Sequence, residues 1–170
     1  IKINYLKKTN IKASSNIVVF VDDKFNVSKV KEYISSKEII YIKDLLRASD
    51  IKKNMFVFEV NSKRKIIVIS IKNDLKSSQI ESLGAEFYGR INYGKNSEYF
   101  INSDTVLGKN DNFIGYFLHG LKLKSYKFNK YKTKKETRVI SINIFGKTNK
   151  PTAQNQLKFN ALEEGTFYAR

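Results

Sequence analysis

The run "NIVVFV" at residues 16–21 constrains the fold of this chain more than any other stretch. It is continuous in β-branched and aromatic residues and stops at Asp22–Asp23. A strand that is apolar on both sides has to be buried on both faces, as happens where helices cover a largely parallel sheet above and below.

The rest of the pattern fits that frame. "IKINYL" (1–6) sets Ile1, Ile3 and Tyr5 against Lys2 and Asn4, the alternation of a half-buried strand. Ser36 is read as the N-cap of a helix carrying Ile39, Ile40, Ile42, Leu45 and Leu46 along one side. "MFVFEVN" (55–61) and "RKIIVISI" (64–71) flank a short Asn-Ser-Lys turn and predict a hairpin. Ser77 or Ser78 opens a helix with Ile80, Leu83, Phe87 and Ile91 on one stripe. Gly84 and Gly89 inside it cost roughly 1 kcal/mol each and point to close approach by a neighbour. "EYFINS" (98–103) is a strand. Asp111 or Asn112 caps a helix bearing Phe113, Ile114, Phe117, Leu118 and Leu121. "RVISINIF" (138–145) is a further strand closed by Gly146, and a last helix runs from near Thr152 to Arg170. Alternating strands and helices predict a three-layer α/β fold whose mixed central sheet is flanked by helices.

The 170 residues hold no cysteine, which excludes disulfides and thiolate metal sites and fits a cytoplasmic setting. No apolar run approaches the roughly 20 residues needed to cross a bilayer, so no membrane partner is expected. The formal net charge is +16. Such a surface attracts polyanions, but Lys dominates over the Arg suited to bidentate phosphate contacts, and Lys, Ile and Asn are abundant together. The charge is therefore read first as compositional and solvating.

No catalytic constellation emerges. Asp22 and Asp23 are adjacent at a strand end and point in opposite directions, the pattern of a solvated turn. Glu163 and Glu164 lie about 100° apart on a helix, read as its exposed face. The lone His119 is read as a helix C-terminal residue interacting with the dipole. The glycines form neither GxGxxG nor a phosphate loop. Residues 121–138 contain eight basic residues and one acidic one, interleaved with Tyr126, Phe128 and Tyr131. Two readings stay open. The lysines Lys122, Lys124, Lys127, Lys130, Lys132, Lys134 and Lys135 follow a nucleic-acid backbone while the aromatics stack on bases. Alternatively, Leu121, Leu123, Tyr126 and Phe128 anchor a long connection and the lysines face water.

A family resemblance adds to this. The segment "FIGYFLHGLKLKSYKFNKYKTKK" (113–135) places Gly120, Leu123, Tyr126, Phe128, Tyr131, Lys132, Thr133 and Lys134 at the spacing Gly–x–x–Leu–x–x–Tyr–x–Phe–x–x–Tyr–Lys–Thr–Lys. With the terminal "ALEEGTFYAR" (161–170), including Glu164, Gly165, Ala169 and Arg170, it resembles the amino-terminal domain of the leucyl aminopeptidases, the M17 metalloexopeptidases. The resemblance implies a macro-domain-like α/β domain over 1–151. It also implies a helix over 152–170 leading toward a catalytic domain absent from these residues. That domain would bind two divalent metals, Mn or Zn, and remove amino-terminal residues from peptides; family members are typically homohexamers.

The family's metal-site signature is not found here, so no catalytic or metal residue is assigned. Leu157, Phe159, Ala161, Leu162, Phe167 and Tyr168 spread around more than one side of the last helix. Leu157, Leu162, Phe167 and Tyr168 are expected to contact the second domain. The expected role is therefore assembly and domain packing, with a basic nucleic-acid-binding module as the alternative. An ADP-ribose-like pocket would rest on fold analogy alone.

Overall fold

The computed structural model describes residues 1–7, 11, 12, 14–48, 53–93, 97–106, 111–126 and 139–169, with the side chains of 28 and 29 excepted. Ten regular elements follow in order: β1 (Lys2–Tyr5), β2 (Asn16–Val21), α1 (Ser36–Ala48), β3 (Met55–Asn61), β4 (Arg64–Ser70), α2 (Ser77–Ile91), β5 (Ser97–Asn102), α3 (Phe113–Ser125), β6 (Ile140–Phe145) and α4 (Ala153–Tyr168). The strands form one sheet in the order β1-β6-β5-β2-β4-β3. Every pairing is parallel except β3 with β4, which is the hairpin read from 55–71.

Because β2 sits inside the sheet, its two faces feed two cores. Ile17, Val19 and Val21 pack with Ile66, Val68, Phe100 and Phe145 beneath Ile39, Ile42 and Leu46 of α1. Val18 and Phe20 pack with Ile67, Ile69, Ile101, Ile142 and Ile144 beneath α2 and α3. The second core is built around rings: Phe20 meets Phe113 and Phe117 edge-on at 5.1 and 5.5 Å, and Phe87 lies 5.4 Å from Phe117. These geometries suit the quadrupoles of the rings. The fold is thus a three-layer α/β architecture around a mixed sheet.

Glycine sets the spacing of the α2/α3 layer. A methyl on Gly84 would overlap the Phe117 carbonyl, and one on Gly120 would overlap the Glu81 carbonyl. The two helix backbones touch at these two points, with no side chain between them. Gly89 differs, since a methyl there meets nothing within 4 Å. It costs helix propensity without gaining a contact.

The α1 layer is fixed by charge. Arg64, buried at the start of β4, donates Nε to Glu38 Oε1 at 2.5 Å, Nη1 to the Ser15 carbonyl at 2.7 Å and Nη2 to the Tyr33 carbonyl at 3.1 Å. Glu38 also accepts from the Ser35 amide at 2.8 Å, while Ser35 Oγ accepts from the Glu38 amide at 3.3 Å. This is a capping box. Ser35, not Ser36, is therefore the N-cap, because only Ser35 lies three residues before the glutamate. Ile40, read as part of the buried stripe, is 60% exposed, because α1 turns only Ile39, Ile42 and Leu46 fully inward.

Other boundaries shift slightly. β5 ends at Asn102 because Ser103–Thr105 turns into a short 3-10 segment. Asn112 stands at the N-cap position of α3 but makes no capping bond there; its side-chain oxygen accepts from Asn155 instead. β6 begins at Ile140, and Arg138 lies outside the described residues. Residues 121–125, read as the start of a charged connection, are the last turns of α3.

Gly120→Ala should lower stability by about 2–3 kcal/mol by forcing α2 and α3 apart. Gly89→Ala should raise it by about 0.5–1 kcal/mol; thermal denaturation distinguishes the signs. Burial pushes the Glu38 carboxyl up, but the bonds from Arg64 and Ser35 outweigh it and hold the group below its ordinary value. The stability it contributes is present above the unfolded-state pKa and is lost as pH falls through the lower folded value. Glu38→Gln should therefore lower Tm by about 5–10 °C at neutral pH. It should also flatten the fall in Tm below about pH 4.5.

Candidate functional site

Open α/β sheets take ligands beyond the carboxyl ends of their strands, where successive crossovers leave to opposite faces. Here that point lies between β2, which leads to α1 on one face, and β5, which leads to α3 on the other. The chain fills it with its own residues. Thr105 Oγ1 accepts from the Phe20 amide at 3.0 Å and donates to the Asn102 carbonyl at 2.7 Å. Ser103 Oγ reaches the Phe145 and Thr148 carbonyls at 2.9 and 2.6 Å.

Asp104, in the 3-10 segment after β5, reaches the loop after β6. Its carboxylate accepts from the Lys147 amide at 2.8 Å, the Thr148 amide at 2.6 Å and the Thr148 hydroxyl at 2.7 Å. Gly146, at φ 124°, lets the loop close, since a methyl there would overlap Ser103 Oγ. Burial raises the Asp104 pKa, but the Thr148 and Lys147 bonds and the Lys150 charge hold it below its ordinary value. A loop of amides that could hold an anion is thus closed by an internal carboxylate.

Asp22 sits at the end of β2, where its Oδ1 accepts from the Lys24 and Asn26 amides at 3.1 and 2.9 Å. Asp23 is exposed beside it. The pair forms a turn and does not converge on a site.

A second polar cluster lies between α3 and α4. Two expectations are corrected there. His119 is not at a helix end: α3 continues to Ser125, and His119 is buried in its middle. Glu163 is not on an exposed face but is only 5% exposed. Its Oε2 accepts from Lys122 Nζ at 2.7 Å, and its Oε1 lies 3.3 Å from His119 Nδ1. Lys122 Nζ also donates to Asn160 Oδ1 at 3.1 Å. Burial pushes the Tyr5 phenol up to about 12, and the Glu163 charge adds to the effect.

Next to this cluster the Phe159 ring sits against Gly115, where a methyl would overlap it. Tyr116 and His119 flank the ring at 5.1 and 5.4 Å between centroids. The reason is local. His119 and Lys122 are three apart on α3, and Phe159 and Glu163 four apart on α4, so each pair shares one helical face. Those spacings are visible in the sequence; that the two faces meet is not.

The basic residues read as nucleic-acid contacts separate. Lys122 is paired with Glu163. Lys124 is exposed and lines an open groove with Gly89, Arg90 and Tyr93. Lys127, Lys130, Lys132, Lys134 and Lys135 lie outside the described residues. Tyr126, the C-cap of α3, stacks on Phe167 at 4.2 Å and donates its hydroxyl to the Phe167 carbonyl at 3.2 Å.

On α4, Phe159 and Glu163 face α3. Leu157, Leu162 and Tyr168 point away from it, with 69, 49 and 98% of their surface exposed. Residues fitted to a metal pair do not come together. Glu38, Asp104 and Glu163 are each engaged by donors of the protein itself, and no group of three or more His, Asp or Glu side chains converges among the described residues. No described helix is long and apolar enough to cross a membrane.

No protein-family model matches the chain, and no curated protein sequence does. Solved structures do match it. A tomato leucine aminopeptidase variant superposes with a TM-score of 0.63 at 12% identity, over 97% of this chain and 36% of that one. The bottromycin maturation enzyme BotP superposes with a TM-score of 0.58 at 8% identity, over 92% of this chain and 32% of that one. The same enzyme in complex with Mn gives 0.58 at 8% identity, over 92% and 31%. At such identities the likeness is one of fold. The chain spans about a third of the length of these structures, and its α/β architecture is one that occurs within leucine aminopeptidase and BotP.

Proposed function

We propose that this chain is a non-catalytic domain of an aminopeptidase-related protein, with a role in domain packing and assembly. The observation that carries the reading is the orientation of α4. Its Phe159/Glu163 face is docked on α3, while Leu157, Ala161, Leu162 and Tyr168 are open to solvent on the rest of the helix, among Lys158 and Glu164. An apolar helix face of this kind is covered in a larger assembly.

The structural likeness supports a further domain of the same polypeptide as the covering partner. In this reading the partner is a catalytic domain of the same polypeptide, using two divalent metals, Mn or Zn, to cleave amino-terminal residues from peptides within a cytoplasmic hexamer. Two features support a packing role for the present domain. Its strand-end crevice is closed by Ser103, Asp104 and Thr105, and the Asp104 and Glu163 carboxylates are held by amides and a lysine. Neither arrangement leaves a carboxylate ready to activate a water.

Incubated with a leucine amide substrate and added Mn²⁺ or Zn²⁺, the 170-residue chain should show no hydrolysis above a chelated blank. Metal-dependent cleavage by this chain would overturn the proposal. The outward residues should also matter little to the isolated fold. Leu157→Ser combined with Leu162→Ser should shift Tm by less than about 3 °C. Phe159→Ala should lower it by about 6 °C or more through the cavity left at Gly115. Equal losses from both variants would mean that the outward face is already buried within the domain.

A further inference from the structure

The way α4 is attached differs from the way the other helices are. Helices α1, α2 and α3 each bury several apolar side chains against the sheet. Of the sixteen residues of α4, two are fully buried, and one of those is a glutamate. The apolar part of the attachment is the Phe159 ring over Gly115 and the Tyr126–Phe167 stack. The remainder is polar: Glu163 to Lys122 and His119, Lys122 to Asn160, Asn155 to Asn112, and the Tyr126 hydroxyl to the Phe167 carbonyl. When the helix lifts away, such polar groups exchange these bonds for bonds to water.

Two further features allow the helix to leave as a unit. The loop before it is anchored: Asp104 holds the Lys147 and Thr148 amides, and Lys150 Nζ donates to the Leu6 carbonyl at 2.8 Å. Movement is therefore confined to the chain beyond Lys150, where Pro151 and the Thr152 cap form the joint. The core beneath is also independent of α4. Phe113, Phe117 and Leu121 of α3 face the sheet and α2, so departure of α4 uncovers Gly115, Tyr116 and His119 but leaves the aromatic cluster closed.

We propose that α4 is a releasable arm, latched to α3 by the Glu163–Lys122–His119 cluster and pivoting at Pro151 while the sheet stays folded. Glu163 is faced by Lys122 and His119 from α3 and lies near Tyr5 of β1. The latch therefore joins α3 and α4 through one carboxylate. Release would add the Phe159 face to the side of α4 that is already exposed, as surface for a neighbouring domain. The idea concerns how α4 is held and does not depend on the peptidase reading.

Hydrogen exchange read by mass spectrometry tests it. In the unaltered chain, α4 amides should exchange faster than those of β2 and β4, through local opening. Glu163→Gln should speed α4 exchange at least tenfold and leave β2 and β4 unchanged. Lys122→Met should act in the same direction and serves if the first variant does not fold. Combining the two should add little, because both break one pair. Exchange of α4 only together with β2 and β4, or equal acceleration of helix and sheet by Glu163→Gln, would overturn the proposal.

Discussion

One face of this fold depends on how closely two helix backbones approach. At Gly84 and Gly120 the backbones of α2 and α3 touch directly. That contact draws Phe87 and Phe117 together over Phe20 and leaves α3 buried along nearly its whole inner surface. The outer side of α3 then has room for a third glycine, Gly115, to receive Phe159. A side chain at Gly84 or Gly120 would move α3 outward and misplace the seat of α4. The position of α4 is thus set on the far side of α3, where no α4 residue takes part.

Charge has two separate roles in the molecule. The +16 balance is carried mainly by lysines. Exposed pairs such as Lys65–Glu59 and Arg90–Glu86 contribute little to stability. The few charges held by several internal partners matter more, the buried ones most, because loss of a partner there leaves an uncompensated ion. Arg64–Glu38 fixes α1 and the turn before it. Asp104 closes the strand-end crevice. Glu163 holds α4. Each joins segments distant in sequence, and none is arranged as an acid–base pair facing an open cleft.

Much of the architecture was legible because its cause is local periodicity. The β2 run, the 55–71 hairpin and the Ile80–Leu83–Phe87–Ile91 stripe fall where the pattern placed them. The Ser35 cap was legible too, since Glu38 stands three residues after it, but the neighbouring Ser36 drew the assignment. Ile40 was misread because α1 covers only part of the sheet. Glu163 and His119 were misread for a different reason. Nothing on α4 itself marks Glu163 as buried; its burial comes from the seat on α3, which exists only once α2 and α3 have closed. Asp104 carried no visible signal, because its partners are backbone amides more than forty positions away.

The account turns on whether the outward face of α4 is covered by a neighbouring domain. The absence of cysteine from the 170 residues makes this measurable by site-specific labelling. Leu157→Cys and Leu162→Cys would each be reacted with a maleimide, in the 170-residue chain and in the full-length product of its gene. Coverage by a neighbouring domain predicts rapid labelling at both positions in the 170-residue chain and strong protection in the full-length gene product. Equal labelling in the two would contradict it.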